Sequence, residues 1–333
     1  MFSKNVSKRK KVLKRTISAL ISISCVALFA SAALAKYPAR RITLIHTWKA
    51  GMPAHVAAQM LAENMGKALG KKVIINIVTG GGGVKAVKQF LTKPADGYTL
   101  LNIYGGTAAA VPMVQPDVGY DSIRDFIPIG GPINGVETIA VRKDEKRFRT
   151  LPELLEYARK NPGLKYGAGR QTLPHMDMVI LFKRLGIKFK MIPYPGSVPA
   201  MKDLLGGTLD FAIPNGGGYL TYKEDIHPLA TVSNKQTGLV PHAPAIKALY
   251  DTPIAEGWNY WVVKKGTPKH IVKKLQDAMA KSFKAEGYGK RLNKIGWGFA
   301  ARTPQEFAPL IKSTQAVLKE GVSAAKWEEN LKW

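Results

Sequence analysis

The chain has 333 residues, with 50 lysines and arginines against 23 aspartates and glutamates, and therefore a formal net charge of +27. This length is enough for two domains with cores of their own, and the single cysteine excludes a disulfide within the chain. The excess positive charge predicts anionic partners, which include nucleic acid, membrane surfaces and small acids. Because the basic residues are scattered along the chain, a solvated surface is favoured over a nucleic-acid-binding stripe.

Residues 1–35 are expected to be a secretory signal peptide. A basic start leads into an apolar run at 17–34, which ends in the small-residue pattern Ala33-Leu34-Ala35. We predict cleavage after Ala35 and a periplasmic mature protein without cysteine. An uncleaved membrane anchor is the alternative, because the run is long enough to span a bilayer.

The rest of the chain alternates between strand-like and helix-like patterns. In the first half the patterns predict strands at 41–46, 73–78 and 98–104, and helices at 54–69 and 84–91. In the second half they predict strands at 138–142, 188–192 and 209–213, and helices at 150–161, 173–185, 198–205 and 268–283, with one more starting at 303. Such alternation indicates α/β architecture with parallel sheets covered by helices.

Several helix ends carry their own signals. Gly70 is placed to end the first helix. Thr150 and Glu153 have the spacing of a capping box, and Thr267 is the expected cap of the helix over 268–283. Thr303 precedes a proline at the first helical position of the last helix.

Four consecutive glycines, 80–83, lie between a predicted strand and a predicted helix. A Walker phosphate loop is excluded, because Val84-Lys85-Ala86 replaces the required Gly-Lys-Ser/Thr ending. A dinucleotide fingerprint is also weak, because the following strand supplies no acid for the ribose. Two interpretations stay open: an anion site on free backbone N–H groups at the helix start, or a tight strand-to-helix crossing without ligand.

Three further strand-to-helix junctions have a similar character, at 48–55, 105–107 and 167–175. In parallel sheets such loops lie at the carboxyl ends of strands, where open α/β sheets bind their ligands. A binding site made by several of these loops is therefore expected.

Four motifs in the mature chain resemble the receptors of tripartite tricarboxylate transporters, also called Bug receptors. They are PADGYTLL at 94–101, YDSIRDF at 120–126, IPYPGSVPAMKDLLGGTLDF at 192–211 and TPQEF at 303–307. The resemblance extends over nearly the whole mature chain.

This resemblance implies a type II periplasmic binding protein with two Rossmann-like α/β lobes around a cleft. It places the first lobe at 36–137 plus 258–333 and the second at 138–257, with hinges near 135–141 and 257–263. It further implies a monomeric receptor without metal or cofactor, which captures a small carboxylate and delivers it to a membrane permease of one large and one small subunit. Nucleic acid is not an expected partner.

Matching the family pattern residue by residue gives a candidate set of ligand contacts. From the first lobe they are Trp48, Lys49, Gly51, Met52, His55, Gly82 and Thr107, and from the second lobe Gly169, Arg170, Thr172, Tyr194 and Asn215.

Two departures from the family pattern suggest the ligand's charge. His55 stands where the family usually has an aspartate at a helix start, and Ile213-Pro214-Asn215 replaces a segment that often contains a second aspartate. Buried acids would pair with the ammonium of an amino acid, so their absence favours an anionic ligand without an amine. Lys49 and Arg170 lie in the two cleft loops and add positive charge.

An enzyme is not expected. The chain lacks a G-x-S-x-G nucleophile elbow and an H-E-x-x-H zinc motif, and the mature chain has no thiol. A polyanion-binding protein and a sensory periplasmic protein that feeds no transporter are the alternatives to a transport receptor.

Overall fold

The computed structural model describes residues 37–169, 173–194 and 196–324, so the predicted signal peptide lies outside the described residues. Residues 37–40 belong to a different unit from the described residues that begin at Arg41, and the fold described below is that of the second unit. Among the described residues, no helix combines the length and the apolar character needed to cross a bilayer.

The first sheet has six strands in the order β11-β4-β10-β3-β1-β2. These strands are β1 (Ile42–His46), β2 (Val73–Ile77), β3 (Thr99–Tyr104), β4 (Phe126–Gly135), β10 (Gly257–Lys264) and β11 (Trp297–Arg302). β1 pairs in parallel with β2 and β3, which confirms the parallel arrangement predicted from the alternation. β10 runs antiparallel to both β3 and β4, and β11 antiparallel to β4.

The second sheet has five strands in the order β7-β6-β8-β5-β9. These are β5 (Thr138–Arg142), β6 (Lys165–Gly169), β7 (Lys190–Tyr194), β8 (Phe211–Ala212) and β9 (Ile226–Thr231). β6 is parallel to β7 and β8, and β5 is antiparallel to β8 and β9.

Two segments connect the sheets. The chain leaves the first sheet at Gly135, enters the second at Thr138, and has returned to the first by Gly257. Gly135 and Gly257 are direct partners in the β4–β10 ladder, so the outgoing and returning segments lie side by side.

Twelve α-helices cover the two sheets in the described part of the chain. They are α1 (Pro53–Leu69), α2 (Val84–Leu91), α3 (Val111–Val114), α4 (Ser122–Asp125), α5 (Leu151–Lys160), α6 (Leu173–Arg184), α7 (Ser197–Leu205), α8 (Gly216–Tyr222), α9 (Ile246–Leu249), α10 (Lys269–Phe283), α11 (Tyr288–Lys294) and α12 (Phe307–Ala324). Short 3₁₀ turns at Gly81–Gly83 and Pro304–Glu306 precede α2 and α12, and a π turn at Gly106–Ala110 precedes α3.

The helix-end signals were correct in part. Gly70 ends α1 in the left-handed conformation with φ 68°. Thr303 precedes the proline of the turn before α12, as expected, and also forms a reciprocal capping box with Glu306. Thr150 accepts a hydrogen bond from the Glu153 backbone, but the Glu153 carboxylate accepts from the backbone of Arg149 instead of Thr150. The prediction for Thr267 was wrong, because its hydroxyl donates to the Lys264 carbonyl and α10 starts at Lys269.

Each sheet has a packed apolar core. The core of the second sheet includes Met178, Leu181 and Phe182 of α6, which are at most 5% exposed. The opposite face of α6 contributes Leu173, Met176 and Ile180 to the core of the first sheet, next to residues of α12. α6 therefore packs against both sheets, which holds its amino-terminal end close to the strand ends of the first sheet.

Candidate functional site

Polar side chains collect where two neighbouring strands end. His46 is the last residue of β1 and pairs in register with Asn102 of β3, whose last residue is Tyr104. β1 and β3 are parallel, so their carboxyl ends meet at the same edge of the sheet, where ligands bind in this kind of fold. His46 and Asn102 are 0% and 1% exposed, although both side chains are polar.

A hydrogen-bonded chain runs across three strands at this edge. Asn259 of β10 donates from Nδ2 to Oδ1 of Asn102 over 2.6 Å. Asn102 in turn places its Nδ2 3.1 Å from Nδ1 of His46 and 3.3 Å from the hydroxyl of Tyr104. The other ring nitrogen of His46, Nε2, is buried without a hydrogen-bond partner.

Aromatic rings surround this chain. The Tyr104 ring lies 6.2 Å from that of His46 and 5.7 Å from that of Trp48, edge-on in both cases. The ring of His55 lies 5.8 Å from that of His46. The indole nitrogen of Trp48 is also buried without a partner, so this group of rings holds two unsatisfied nitrogen atoms.

Burial keeps this region uncharged. It lowers the pKa of His46 to about 4, assisted by the nearby His55, so His46 is neutral at physiological pH. Burial likewise raises the pKa of Tyr104 above its ordinary value, so the phenol keeps its proton. Both side chains therefore act as neutral hydrogen-bonding groups.

The loop between β1 and α1 closes one side of the region. Gly51 adopts a φ of +79°, and its N–H donates to Nδ1 of His55 over 3.3 Å. Met52 is the residue before α1 and makes no side-chain cap, and Lys49 is exposed. The first turn of α1 contains no acid, so its partial positive charge is not neutralised locally.

Three contacts bring elements of the second sheet against this loop and the end of β3. A Cβ built on Gly196 would lie 3.7 Å from the Met52 methyl group, and one on Gly217 would lie 2.9 Å from Pro53. A Cβ on Gly105 would lie 2.5 Å from Leu173, the first residue of α6. The strand ends of the first sheet are thus faced by α6, α7 and α8.

The four-glycine loop packs against Thr107. Gly80 to Gly83 all have positive φ angles, from +56° to +124°, which residues other than glycine rarely adopt. The Thr107 hydroxyl donates to the Gly82 carbonyl over 2.6 Å, and a Cβ on Gly83 would lie 2.5 Å from that hydroxyl oxygen. The loop therefore approaches the side chain of Thr107 closely at Gly83, and the Thr107 hydroxyl already donates to the loop.

The second-sheet candidates are also engaged in internal hydrogen bonds. The Tyr194 hydroxyl, at the end of β7, donates to Asp203 over 2.5 Å. Asn215 caps α8 by accepting from the Gly218 backbone over 2.9 Å. Gly169 ends β6, while Arg170 and Thr172 lie outside the described residues.

Three important residues were missed by sequence reasoning: His46, Asn102 and Asn259. A signal was present, since each is a polar residue next to large apolar residues in a strand. Matching to a family pattern directed attention to the loops after the strands instead of to the strand ends.

A second buried polar group lies at the connections between the sheets. Glu137 follows β4, Glu256 precedes β10 with a φ of +53°, and Asp177 comes from α6. Asp177 Oδ1 accepts from the Ala255 backbone over 2.8 Å, whereas Asp177 Oδ2 and Glu137 Oε2 are buried without partners. Burial, reinforced by the neighbouring carboxylates, raises the pKa of both Glu137 and Asp177 to about 8. In the part of the chain that the structure describes, no cluster of acids and histidines is suited to hold a metal ion.

Comparison with known proteins agrees with this architecture. Residues 57–324 match the family described as tripartite tricarboxylate transporter family receptor. Protein BugT of Bordetella pertussis is 30% identical over 302 residues, which cover 85% of this chain and 92% of BugT.

Two solved structures share the fold over most of their length. R. palustris Rpa4515 with adipate has 25% sequence identity and a TM-score of 0.77, covering 87% of this chain and 98% of its own. A structure described as a periplasmic transporter has 26% identity and a TM-score of 0.75, covering 86% and 97%. The expected fold class, a periplasmic binding protein with two α/β lobes, is confirmed. The chain therefore belongs to the receptor family of the tripartite tricarboxylate transporters, with the Bug receptors as its relatives.

Proposed function

We propose that this chain is a periplasmic solute receptor that binds a small carboxylate without an amine and delivers it to a tripartite permease of one large and one small subunit. The supporting observation is the uncharged donor region at the ends of β1 and β3. Buried ring nitrogens of His46 and Trp48 there have no partner, and the first turn of α1 adds a partial positive charge without an acid. Such unpaired donors and the partial positive charge of the helix start favour the oxygens of a carboxylate over an ammonium group.

The adipate bound by Rpa4515, a protein of the same fold, supports an organic acid as ligand. The two lobes are proposed to comprise 36–137 plus 258–333 and 138–257, and to close around the acid by bending at 135–141 and 257–263. A ligand that contacts both lobes favours the closed form through those differential contacts. The permease would then recognise the closed, monomeric receptor.

A thermal-shift panel tests the ligand class. Adipate, succinate and citrate are expected to raise the melting temperature of the mature chain, because a ligand that binds only the folded state stabilises it by mass action. Glutamate, which adds an ammonium to a similar carbon chain, is expected to give a smaller shift. Stronger stabilisation by glutamate would refute the amine-free ligand, and no shift with any acid would refute the receptor.

Two further measurements test the remaining parts of the proposal. Mass spectrometry of the exported protein should give Lys36 as the first residue, because cleavage is proposed after Ala35. Uptake of a labelled acid that passes the thermal panel should depend on both this chain and the permease. If uptake is unchanged after deletion of this chain, the proposed role in transport is refuted.

A further inference from the structure

We propose that His46 is a specificity-determining residue, whose neutral imidazole is locked by Asn102 and Asn259 so that its Nε2–H donates to an oxygen of the bound carboxylate. This inference rests on the proposed function and adds a residue that the loop-based candidates did not include. The donor that selects an acceptor oxygen then lies at the end of a strand and not in a loop.

The tautomer follows from the order of donors in the chain of amides. Asn259 donates its Nδ2–H to Oδ1 of Asn102, so the Nδ2 side of Asn102 faces His46. An amide NH₂ group only donates, so Nδ1 of His46 must accept and carries no proton. In a neutral imidazole the single proton then resides on Nε2, which becomes a fixed N–H donor.

The fixed donor has no hydrogen-bond partner among the residues that the structure describes. His46 is 0% exposed and its Nε2 makes no hydrogen bond. A buried N–H without an acceptor is destabilising, and such a group in a native protein requires an explanation. An oxygen of a ligand at the ends of β1 and β3 would supply the missing acceptor.

The surroundings determine what kind of oxygen is preferred. His55 of α1 and Tyr104 of β3 are the titratable neighbours whose rings contact His46, and neither is an acid. A neutral N–H donor in a low-dielectric environment binds a carboxylate strongly and cannot accept a hydrogen bond from an ammonium. The locked tautomer thereby rejects an amine at this point of the site without adding a positive charge.

The first test reads the tautomer directly. In nitrogen-15 spectra of the imidazoles, the signal that the mature wild-type chain shows and the His46→Gln variant lacks should have a protonated Nε2 and an unprotonated Nδ1. Asn102→Leu keeps the shape of residue 102 but removes the lock, so the signal of His46 should change to a mixture of tautomers. A protonated Nδ1 with unprotonated Nε2 in the wild type would mean that both amides are turned around, and would overturn the proposal.

The second test measures affinity by calorimetry with the acid that stabilises the wild-type chain most in the thermal panel. His46→Phe keeps a ring of similar size without a donor and should weaken binding about ten- to hundredfold, the range for a hydrogen bond to a charged group. His46→Gln retains an N–H close to the Nε2 position and should lose less. His270→Gln, at an exposed position on α10, is the matched control and should bind like the wild type.

The outcomes separate the two proposals. If the wild type binds an acid but His46→Phe, folded by circular dichroism, binds it within twofold of the wild type, the role of His46 is refuted and the receptor function stands. If the wild type binds no acid at all, the receptor function fails and the role of His46 fails with it.

Discussion

The chain buries polar side chains in two regions, and the two regions differ in how these side chains remain uncharged. At the ends of β1 and β3, the amides Asn102 and Asn259 and the imidazole of His46 form a neutral hydrogen-bonded chain. At the connections between the sheets, the buried Asp177 and the half-buried Glu137 lie near Glu256. In the described part of the chain, each leaves one buried carboxyl oxygen without a partner. Amides stay neutral at every pH, whereas a carboxyl group stays neutral only while it holds its proton.

The difference has a functional meaning. A neutral polar region presents hydrogen-bond donors to a ligand without a change of charge over the physiological pH range. The carboxyl region instead responds to pH, since its members lose protons near pH 8 in the folded chain and near pH 4 when exposed. The binding region should therefore be insensitive to pH where the connecting region is sensitive.

The largest expected effect is a fall in the free energy of unfolding as pH rises from 5 to 9. Below pH about 4 these carboxyl groups hold their protons in both states. Between that value and 8 the unfolded chain releases protons that folded Glu137 and Asp177 retain, so stability falls by a few kcal/mol and the loss is complete above pH 8. Urea unfolding at each pH measures it.

Glu137→Gln should reduce this slope, because a glutamine resembles the protonated acid at every pH. The variant is expected to match the wild type near pH 5 and to exceed its stability by about 2 kcal/mol at pH 9. Glu63→Gln, at an exposed position on α1, is the control and should leave the slope unchanged. Parallel curves for Glu137→Gln and the wild type would contradict the buried, proton-holding carboxyl.

In the neutral region, the next largest effect is expected from Asn259→Ala. This change removes the donor to Asn102 and leaves a buried amide oxygen unsatisfied, so it should lower the free energy of unfolding by about 2 kcal/mol. Unlike the loss at the carboxyl region, this loss should be constant from pH 5 to 9. Asn293→Ala, at an exposed position on α11, is the control. If the loss of stability in Asn259→Ala depended on pH, the proposed difference between the neutral region and the carboxyl region would be refuted.

A further prediction concerns the contact between α8 and the turn before β11. A Cβ on Gly216 of α8 would overlap the carbonyl oxygen of Gly296, so Gly216→Ala should oppose the close approach of the two sheets. Affinity for the acid should fall about tenfold, because less of the chain is in the binding-competent form. Gly238→Ala has open space around its Cβ and should bind normally. Equal affinities of the two variants would show that this contact is not part of closure.

Much of the fold could be predicted from the sequence, because hydrophobic periodicity and glycine signals are local. The helix at 84–91 and the strand at 138–142 have the predicted bounds. The wrong prediction for Thr267 also has a local reason, since its hydroxyl competes for the Lys264 carbonyl in the preceding turn.

The candidate site was less predictable, because it depends on contacts between distant parts of the chain. Asn259 and Asn102 are far apart in sequence, and only the antiparallel pairing of β10 with β3 brings them together. Local evidence left open whether the four glycines bind an anion or form a tight crossing, and it could not reveal their contact with Thr107 of another loop. The sequence shows which side chains are polar, whereas the hydrogen-bond partner of each polar side chain depends on which strands and loops pack together in the fold.

The smallest effect is expected at Tyr194 and Asp203, a hydrogen-bonded pair that belongs neither to the neutral region nor to the carboxyl region. Tyr194 is half-buried and its hydroxyl is already donated to Asp203, so it is neither unsatisfied nor free to serve a ligand. Tyr194→Phe should therefore lower the free energy of unfolding by about 1 kcal/mol, the usual contribution of one hydrogen bond. The affinity for the acid should stay within twofold of the wild type, because the ring, which lies against Gly167, is retained. Tyr157→Phe, at a half-buried ring of α5, controls for the loss of a hydroxyl. A large drop in affinity without a drop in stability would assign the Tyr194 hydroxyl to the ligand and place a donor of the second sheet beside the neutral donors of the first.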